Sequence, residues 1–147
     1  MVERQSLRVA LAGAGMISWH HLVAWRSLAP AAKVVAVYDP NDERARSRAA
    51  EFGIDAVFTN GTAMLDEAGI GALDIAAPRQ EHAAWVEAAA ARGIDVLCQK
   101  PLTPTLAEGE ELLRRLGGRV RLMVHENWRF RPWYRTLGRW IADGELG

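Results

Sequence analysis

The sequence alternates short apolar segments with longer segments of helical character from end to end. The apolar segments are continuous rather than alternating, which is typical of strands that are covered on both faces. The stretches between them are long enough for helices that connect parallel strands. The pattern predicts an α/β fold, a doubly wound parallel sheet of the Rossmann type. The six predicted strands are 7–12, 33–38, 56–58, 73–77, 94–98 and 119–124.

Capping residues bound the predicted helices. Asn41 can cap one helix at its start and Gly53 can end it, and Thr103 or Thr105 can begin a later one. The predicted helices are 16–28, 42–52, 62–68, about 80–92, a helix that ends at 116, and about 132–143.

Length and charge exclude several classes of protein. The 147 residues suffice for one domain. Eighteen basic and eighteen acidic residues give no net charge, which argues against nucleic acid or a membrane surface as partner. Cys98 is the single cysteine, so a disulfide framework is excluded and a reducing, cytoplasmic location is expected. The four histidines lack metal-ligand spacing, and no metal is expected.

A glycine-rich turn follows the first predicted strand. Gly13 permits a tight turn, Gly15 lets the backbone approach a pyrophosphate, and Ser18 replaces the third glycine of the dinucleotide fingerprint. Asp39 ends the second strand, where a carboxylate can accept the ribose hydroxyls. The site therefore predicts NAD, although nearby arginines leave NADP open. Residues predicted to bind the cofactor here are Gly13, Gly15, Met16, Ile17 and Asp39.

Lys100 is the candidate catalytic residue. It is one of only two lysines among eighteen basic residues, and it lies between a strand end and Pro101. An amine can hydrogen-bond a substrate hydroxyl and transfer a proton, which a guanidinium cannot do. The alternative is a solvated lysine at a strand end. Lys100 and other residues at these strand ends are expected to line the cofactor as well: Ala77, Pro78, His82 and Gln99.

The carboxyl-terminal segment is rich in arginine and tryptophan. This composition would suit nucleic-acid stacking. However, Trp133, Leu137, Trp140 and Ile141 recur at helical spacing. An apolar helix face that packs against a protein surface is the favoured interpretation.

Together these motifs resemble the glucose-fructose oxidoreductase / inositol dehydrogenase / MocA (Gfo/Idh/MocA) family over the whole chain. The resemblance implies an NAD(P)-dependent oxidoreductase of sugars, polyols and related hydroxy compounds. It implies that Lys100 contacts the substrate, with Gln99 in place of the usual glutamate, and that Trp128 and Arg129 line the substrate side. The matching segments are 9–15, 76–78 with His82, 98–102, 105–108 and 127–130.

The resemblance also divides the chain. Residues 1–124 are expected to form the NAD(P)-binding domain, and 125–147 a substrate-side loop and connecting helix. Family members continue into an α+β domain, which is expected to be absent here, so the chain alone is expected to be inactive and the full-length enzyme to form a homo-oligomer. A non-catalytic dinucleotide-binding or assembly module and, less favoured, a methyltransferase are the alternatives.

Overall fold

One parallel sheet organises the part of the chain that the structure describes. The structure is a computed structural model, and it describes residues 5–146 apart from the side chain of Arg129. Its strands are β1 Leu7–Ala12, β2 Ala32–Tyr38, β3 Ala56–Phe58, β4 Ala72–Ile75, β5 Asp95–Gln99 and β6 Leu122–His125. Its helices are α1 Met16–Arg26, α2 Asp42–Phe52, α3 Gly61–Glu67, α4 His82–Ala90, α5 Leu106–Leu116 and α6 Pro132–Ala142, with a 3-10 turn over Asn127–Phe130.

The strand order is β3-β2-β1-β4-β5-β6, and every neighbouring pair is parallel. This is the doubly wound order of the Rossmann fold, which confirms the predicted fold class. The order reverses between β1 and β4, so a crevice opens there at the carboxyl ends of the strands. Ligands of such sheets bind in this crevice.

The core lies on both faces of the sheet because successive residues of β1 point to opposite sides. Ala10 and Ala12 pack in one cluster with buried residues of α3, α4 and α5. Leu11 packs on the other face with Leu22 of α1 and Ala49 of α2. Burying each large apolar side chain stabilises the fold by about 1.5–3 kcal/mol.

The predicted caps are confirmed, while some helix and strand bounds differ from prediction. Asn41 accepts a hydrogen bond from the amide of Arg44 at 2.9 Å, and Gly53 ends α2 with a φ of 66°. Thr105, not Thr103, caps α5 and forms a capping box with Glu108. β6 begins at Leu122 rather than at residue 119, because its pairing with β5 starts there.

Helix α6 lies outside the core, and none of its described residues is buried. Its exposed apolar side chains include Trp133, Leu137, Trp140 and Ile141, the residues that the sequence placed on one face. Within residues 5–146, no helix has the length and apolar character needed to cross a bilayer.

Candidate cofactor-binding and active site

Gly13 occupies a position that only glycine fits. Its φ is 97°, and a Cβ atom there would lie 2.7 Å from the carbonyl oxygen of Ala76. Its amide donates to the carbonyl of Tyr38 at 2.7 Å. The turn after β1 is therefore held against the ends of both neighbouring strands, β2 and β4, as the fingerprint predicts.

The amino terminus of α1 is open to an anion. No side chain caps this helix and its first turn carries no acidic residue. A Cβ atom on Gly15 would meet nothing within 4 Å. Ser18 is buried and donates to the carbonyl of Gly15 at 2.5 Å, so a small residue suits the third position. Free amides and the positive end of the helix dipole fit a pyrophosphate. Met16 is exposed and Ile17 partly exposed beside them.

Asp39 is buried at the end of β2, with 3% of its surface exposed. Its carboxylate accepts hydrogen bonds from the amides of Ala14 at 2.8 Å and Asn41 at 2.9 Å. A carboxylate offers about four acceptor sites, and these two hydrogen bonds occupy half of them. Arg44 places a guanidinium nitrogen 3.6 Å from the same carboxylate. Arg46 instead pairs with Asp42 at 2.7 Å. Of these two arginines, Arg44 is therefore the one that lies beside Asp39.

Lys100 is exposed at the end of β5, at the carboxyl edge of the sheet. Its amide donates to the side-chain oxygen of Gln99 at 2.7 Å. Gln99 is buried, so it supports the lysine from within the fold. The peptide bond between Lys100 and Pro101 is cis. The strand order brings Lys100 to the edge that also carries the glycine turn and Asp39.

His82 joins the ends of β4 and β5. The ring is 1% exposed. Its Nδ1 lies 2.8 Å from the carbonyl oxygen of Pro101, and its Nε2 lies 2.9 Å from that of Ala77. Carbonyl oxygens only accept, so the ring donates to both at once when both nitrogens carry a proton. The structure gives His82 a bracing role between these loops, and a direct contact with the cofactor stays a prediction. Pro78 is exposed beside Ala77.

A buried polar cluster behind this edge escaped the sequence analysis. Asp74 of β4 is fully buried, and its carboxylate faces Nδ1 of His21 at 2.9 Å. The indole nitrogen of Trp25 donates to the same carboxylate at 2.7 Å. The amide nitrogen of Gln99 lies 3.2 Å from Nε2 of His21. The available signal was an aspartate inside an apolar strand, which requires a buried partner.

His125 closes this cluster at the end of β6. Its ring lies 4.8 Å from that of His21, edge to face. Burial lowers the pKa of His125, so this ring is neutral near pH 7. Nδ1 of His125 and Oδ1 of Asn127 are buried without a hydrogen-bond partner. Among the described residues, no three His, Cys, Asp or Glu side chains group as metal ligands.

The 3-10 turn places Trp128 beyond the end of β6, with about half of the side chain exposed. The guanidinium of Arg131 lies 5.1 Å from the Trp128 ring centroid and 5.2 Å from that of Trp133. The turn is therefore tied to α6 by cation–π contacts. The side chain of Arg129 lies outside the described residues, so its predicted substrate contact stays a prediction.

Comparison with protein families adds a match over residues 7–125 to the GFO_IDH_MocA model, described as an oxidoreductase family with an NAD-binding Rossmann fold. The D-apiose dehydrogenase of Paraburkholderia graminis is 39% identical over 141 residues, which cover 94% of this chain and 37% of the relative. The inositol 2-dehydrogenase of Streptomyces avermitilis is 37% identical over 148 residues, which cover 97% and 42%.

Solved structures match over nearly the whole chain. An oxidoreductase from Agrobacterium radiobacter in complex with NAD+, L-tartaric acid and magnesium has a TM-score of 0.90 at 29% identity, covering 97% of this chain and 42% of the other. A levoglucosan dehydrogenase complexed with NADH and levoglucosan has a TM-score of 0.88 at 27% identity, covering 97% and 41%. The chain spans roughly two fifths of the length of these proteins and of the curated relatives.

Proposed function

The chain belongs to the GFO_IDH_MocA oxidoreductase family, and from that premise we propose that its protein oxidises a hydroxyl carbon of a sugar, a polyol or a related hydroxy compound. The chain itself is an NAD-binding oxidoreductase domain. The supporting observation is that the uncapped start of α1, Asp39 and Lys100 share one edge of the sheet. Relatives named for apiose and inositol support the substrate class.

The cofactor is proposed to lie across the ends of β1, β2 and β4. The amides at the start of α1, beside Gly15, would hold the pyrophosphate, and Met16 and Ile17 would flank it. Asp39 would accept the ribose hydroxyls through its remaining lone pairs. Bound NAD supplies the hydride acceptor at its nicotinamide ring. Two pairs of residues are proposed to line the nicotinamide ring. They are Ala77 and Pro78 after β4, and Gln99 and Lys100 at the end of β5.

Lys100 is proposed to handle the substrate proton. An exposed ammonium can donate a hydrogen bond to the substrate hydroxyl, and a neutral amine can accept its proton as the hydride leaves. Trp128 and Arg129 are proposed to line the substrate side, because their turn follows β6, beside the strand that carries Lys100.

The division of the chain near residue 124 is also a proposal. The exposed apolar face of α6 supports it, since such faces pack against protein surfaces. A cytoplasmic location is proposed from the single cysteine, and self-association of the full-length enzyme stays a prediction. Family membership removes the methyltransferase alternative.

Titration of the chain with NADH, followed by nucleotide fluorescence, tests the cofactor site. Asp39→Ala is expected to weaken binding by about tenfold or more, equivalent to roughly 1.4 kcal/mol. Asp42→Ala is the matched control, because its exposed carboxylate pairs with Arg46 and not with the glycine turn. Equal affinities of the two variants, both folded, would refute the role of Asp39.

Turnover of the gene's full product tests Lys100. Lys100→Ala and Lys100→Arg are both expected to abolish turnover while NADH binding persists, because guanidinium keeps the charge but does not release its proton. Activity in Lys100→Arg would show that charge alone suffices. An NADH-binding wild type without turnover on any hydroxy compound would favour the non-catalytic module.

A further inference from the structure

Of the buried cluster of His21, Asp74 and Gln99, only Gln99 has a part in the function proposed above, where it lines the nicotinamide ring. Asp74 is fully buried, and a carboxylate at such a site is costly unless donors surround it. His21 and Trp25 supply those donors, at 2.9 Å and 2.7 Å. Gln99 then links His21 to the backbone of Lys100. The cluster therefore reaches from inside β4 to the exposed edge.

The orientation of the Gln99 side-chain amide fixes which group donates and which accepts in each of these hydrogen bonds. The Lys100 amide is a donor, so the atom that it meets at 2.7 Å is the Gln99 oxygen. The Gln99 nitrogen must then face His21, where it lies 3.2 Å from Nε2. That nitrogen donates, so Nε2 must offer a lone pair. The proton of the neutral His21 ring consequently sits on Nδ1 and is donated to Asp74.

Each hydrogen bond in this series depends on the next one. Asp74 selects the Nδ1–H form of His21, this form accepts from Gln99, and the amide so oriented presents its oxygen to the Lys100 backbone. Among residues 5–146, the charged or titratable groups found in contact with the His21 ring are Asp74 and His125. His125 is held neutral by burial, which lowers its pKa, so no second cation competes for Asp74.

We propose that His21, Asp74 and Gln99 form a positioning relay that sets the backbone of Lys100 and thereby the place of its amine at the substrate hydroxyl. The relay contacts neither cofactor nor substrate through His21 or Asp74, which are buried. This inference rests on the proposed role of Lys100. A cluster that serves only the fold would add stability without affecting turnover.

Two substitutions at Gln99 separate these roles. Gln99→Met keeps the side-chain length but removes the acceptor for the Lys100 amide, while Gln99→Glu keeps an acceptor there. Val96→Ala is the control, because Val96 is buried on the same strand and its apolar side chain makes no hydrogen bond to the relay. In the full gene product, Gln99→Met is expected to lower kcat by on the order of ten- to a hundredfold. The fall in kcat should exceed the change in the Kd for NADH, because Gln99 also holds the Lys100 backbone. Gln99→Glu can accept from the Lys100 amide but has no N–H for His21, so it should restore only part of kcat. Val96→Ala should leave kcat unchanged at comparable loss of stability.

Nitrogen-15 NMR of the histidine rings tests the relay in the wild type, without any variant. The relay requires His21 at pH 7 to carry its proton on Nδ1 and none on Nε2. A proton on Nε2, or a kcat in Gln99→Met equal to that in Val96→Ala, would overturn the proposal. Lys100→Ala separates a failure of the relay from a failure of the proposed function. An active Lys100→Ala variant would refute the proposed role of Lys100. An inactive Lys100→Ala variant beside a fully active Gln99→Met variant would refute the relay alone.

Discussion

Gly13→Ala is expected to damage the fold, and Gly15→Ala the cofactor site, although the two glycines belong to one turn. Gly13 has a φ of 97°, and its added Cβ would lie 2.7 Å from the Ala76 carbonyl oxygen and 2.8 Å from the Ala77 nitrogen. These atoms are backbone at the end of β4, so they cannot rotate away. Gly15 has a φ of −68° and open space around its Cβ position.

The cost of Gly13→Ala has two parts. Holding alanine in this region of φ costs about 1–3 kcal/mol. Forcing a methyl group into a filled space costs about 1–3 kcal/mol more. The sum, about 2–6 kcal/mol, is a large share of the roughly 5–15 kcal/mol that stabilises a typical domain. For about 150 residues it lowers Tm by roughly 5–20 °C. Gly15→Ala costs below about 1 kcal/mol, the scale of an N-cap effect.

Thermal and urea unfolding of both variants, with NADH titration alongside, is the assay. Gly13→Ala should lose stability. Gly15→Ala should unfold like the wild type but bind NADH about tenfold more weakly, since its methyl group occupies the approach to the helix amides. A Gly13→Ala variant as stable as the wild type would refute the close approach of β1 and β4. Unchanged NADH affinity in Gly15→Ala would refute the location of the pyrophosphate.

Three further outcomes follow from the pKa shifts. Burial raises the pKa of Cys98 to about 12, so its thiol should resist iodoacetamide at pH 8 in the native protein and react once urea unfolds it, as mass spectrometry can follow. Burial lowers the pKa of His125, so the unfolded chain binds its proton more readily. The free energy of unfolding should therefore fall as pH drops below about 6.5 toward the lower folded value, and His125→Asn should flatten this dependence in urea titrations. Hydrogen bonds from Arg121 lower the pKa of Asp95, so Arg121→Ala should destabilise the protein at pH 7. Its difference from the wild type should shrink as the pH falls through the lowered pKa of Asp95 and its carboxylate is protonated.

The sequence alone determined the fold class, because its patterns are local. Continuous apolar strands and helix caps such as Asn41 depend on neighbouring residues, and the structure places them as predicted. The glycine turn could also be predicted from the sequence, since a positive φ at one position requires glycine at that position, here Gly13. Lys100 could be singled out from the sequence because it is one of two lysines in an arginine-rich chain and follows a predicted strand. Its proposed chemistry is what the turnover experiment tests.

Tertiary structure decided what lies behind that edge. His21, Asp74 and Gln99 are far apart in sequence, and only the order β1-β4-β5 of the sheet, with α1 packed across it, brings their side chains within hydrogen-bond distance. The two contacts of His82 were hidden from the sequence for the same reason, since its carbonyl partners come from different loops. Periodicity reports whether a residue faces inward, but a hydrogen-bond partner across the sheet is set by register and packing, which no local pattern contains.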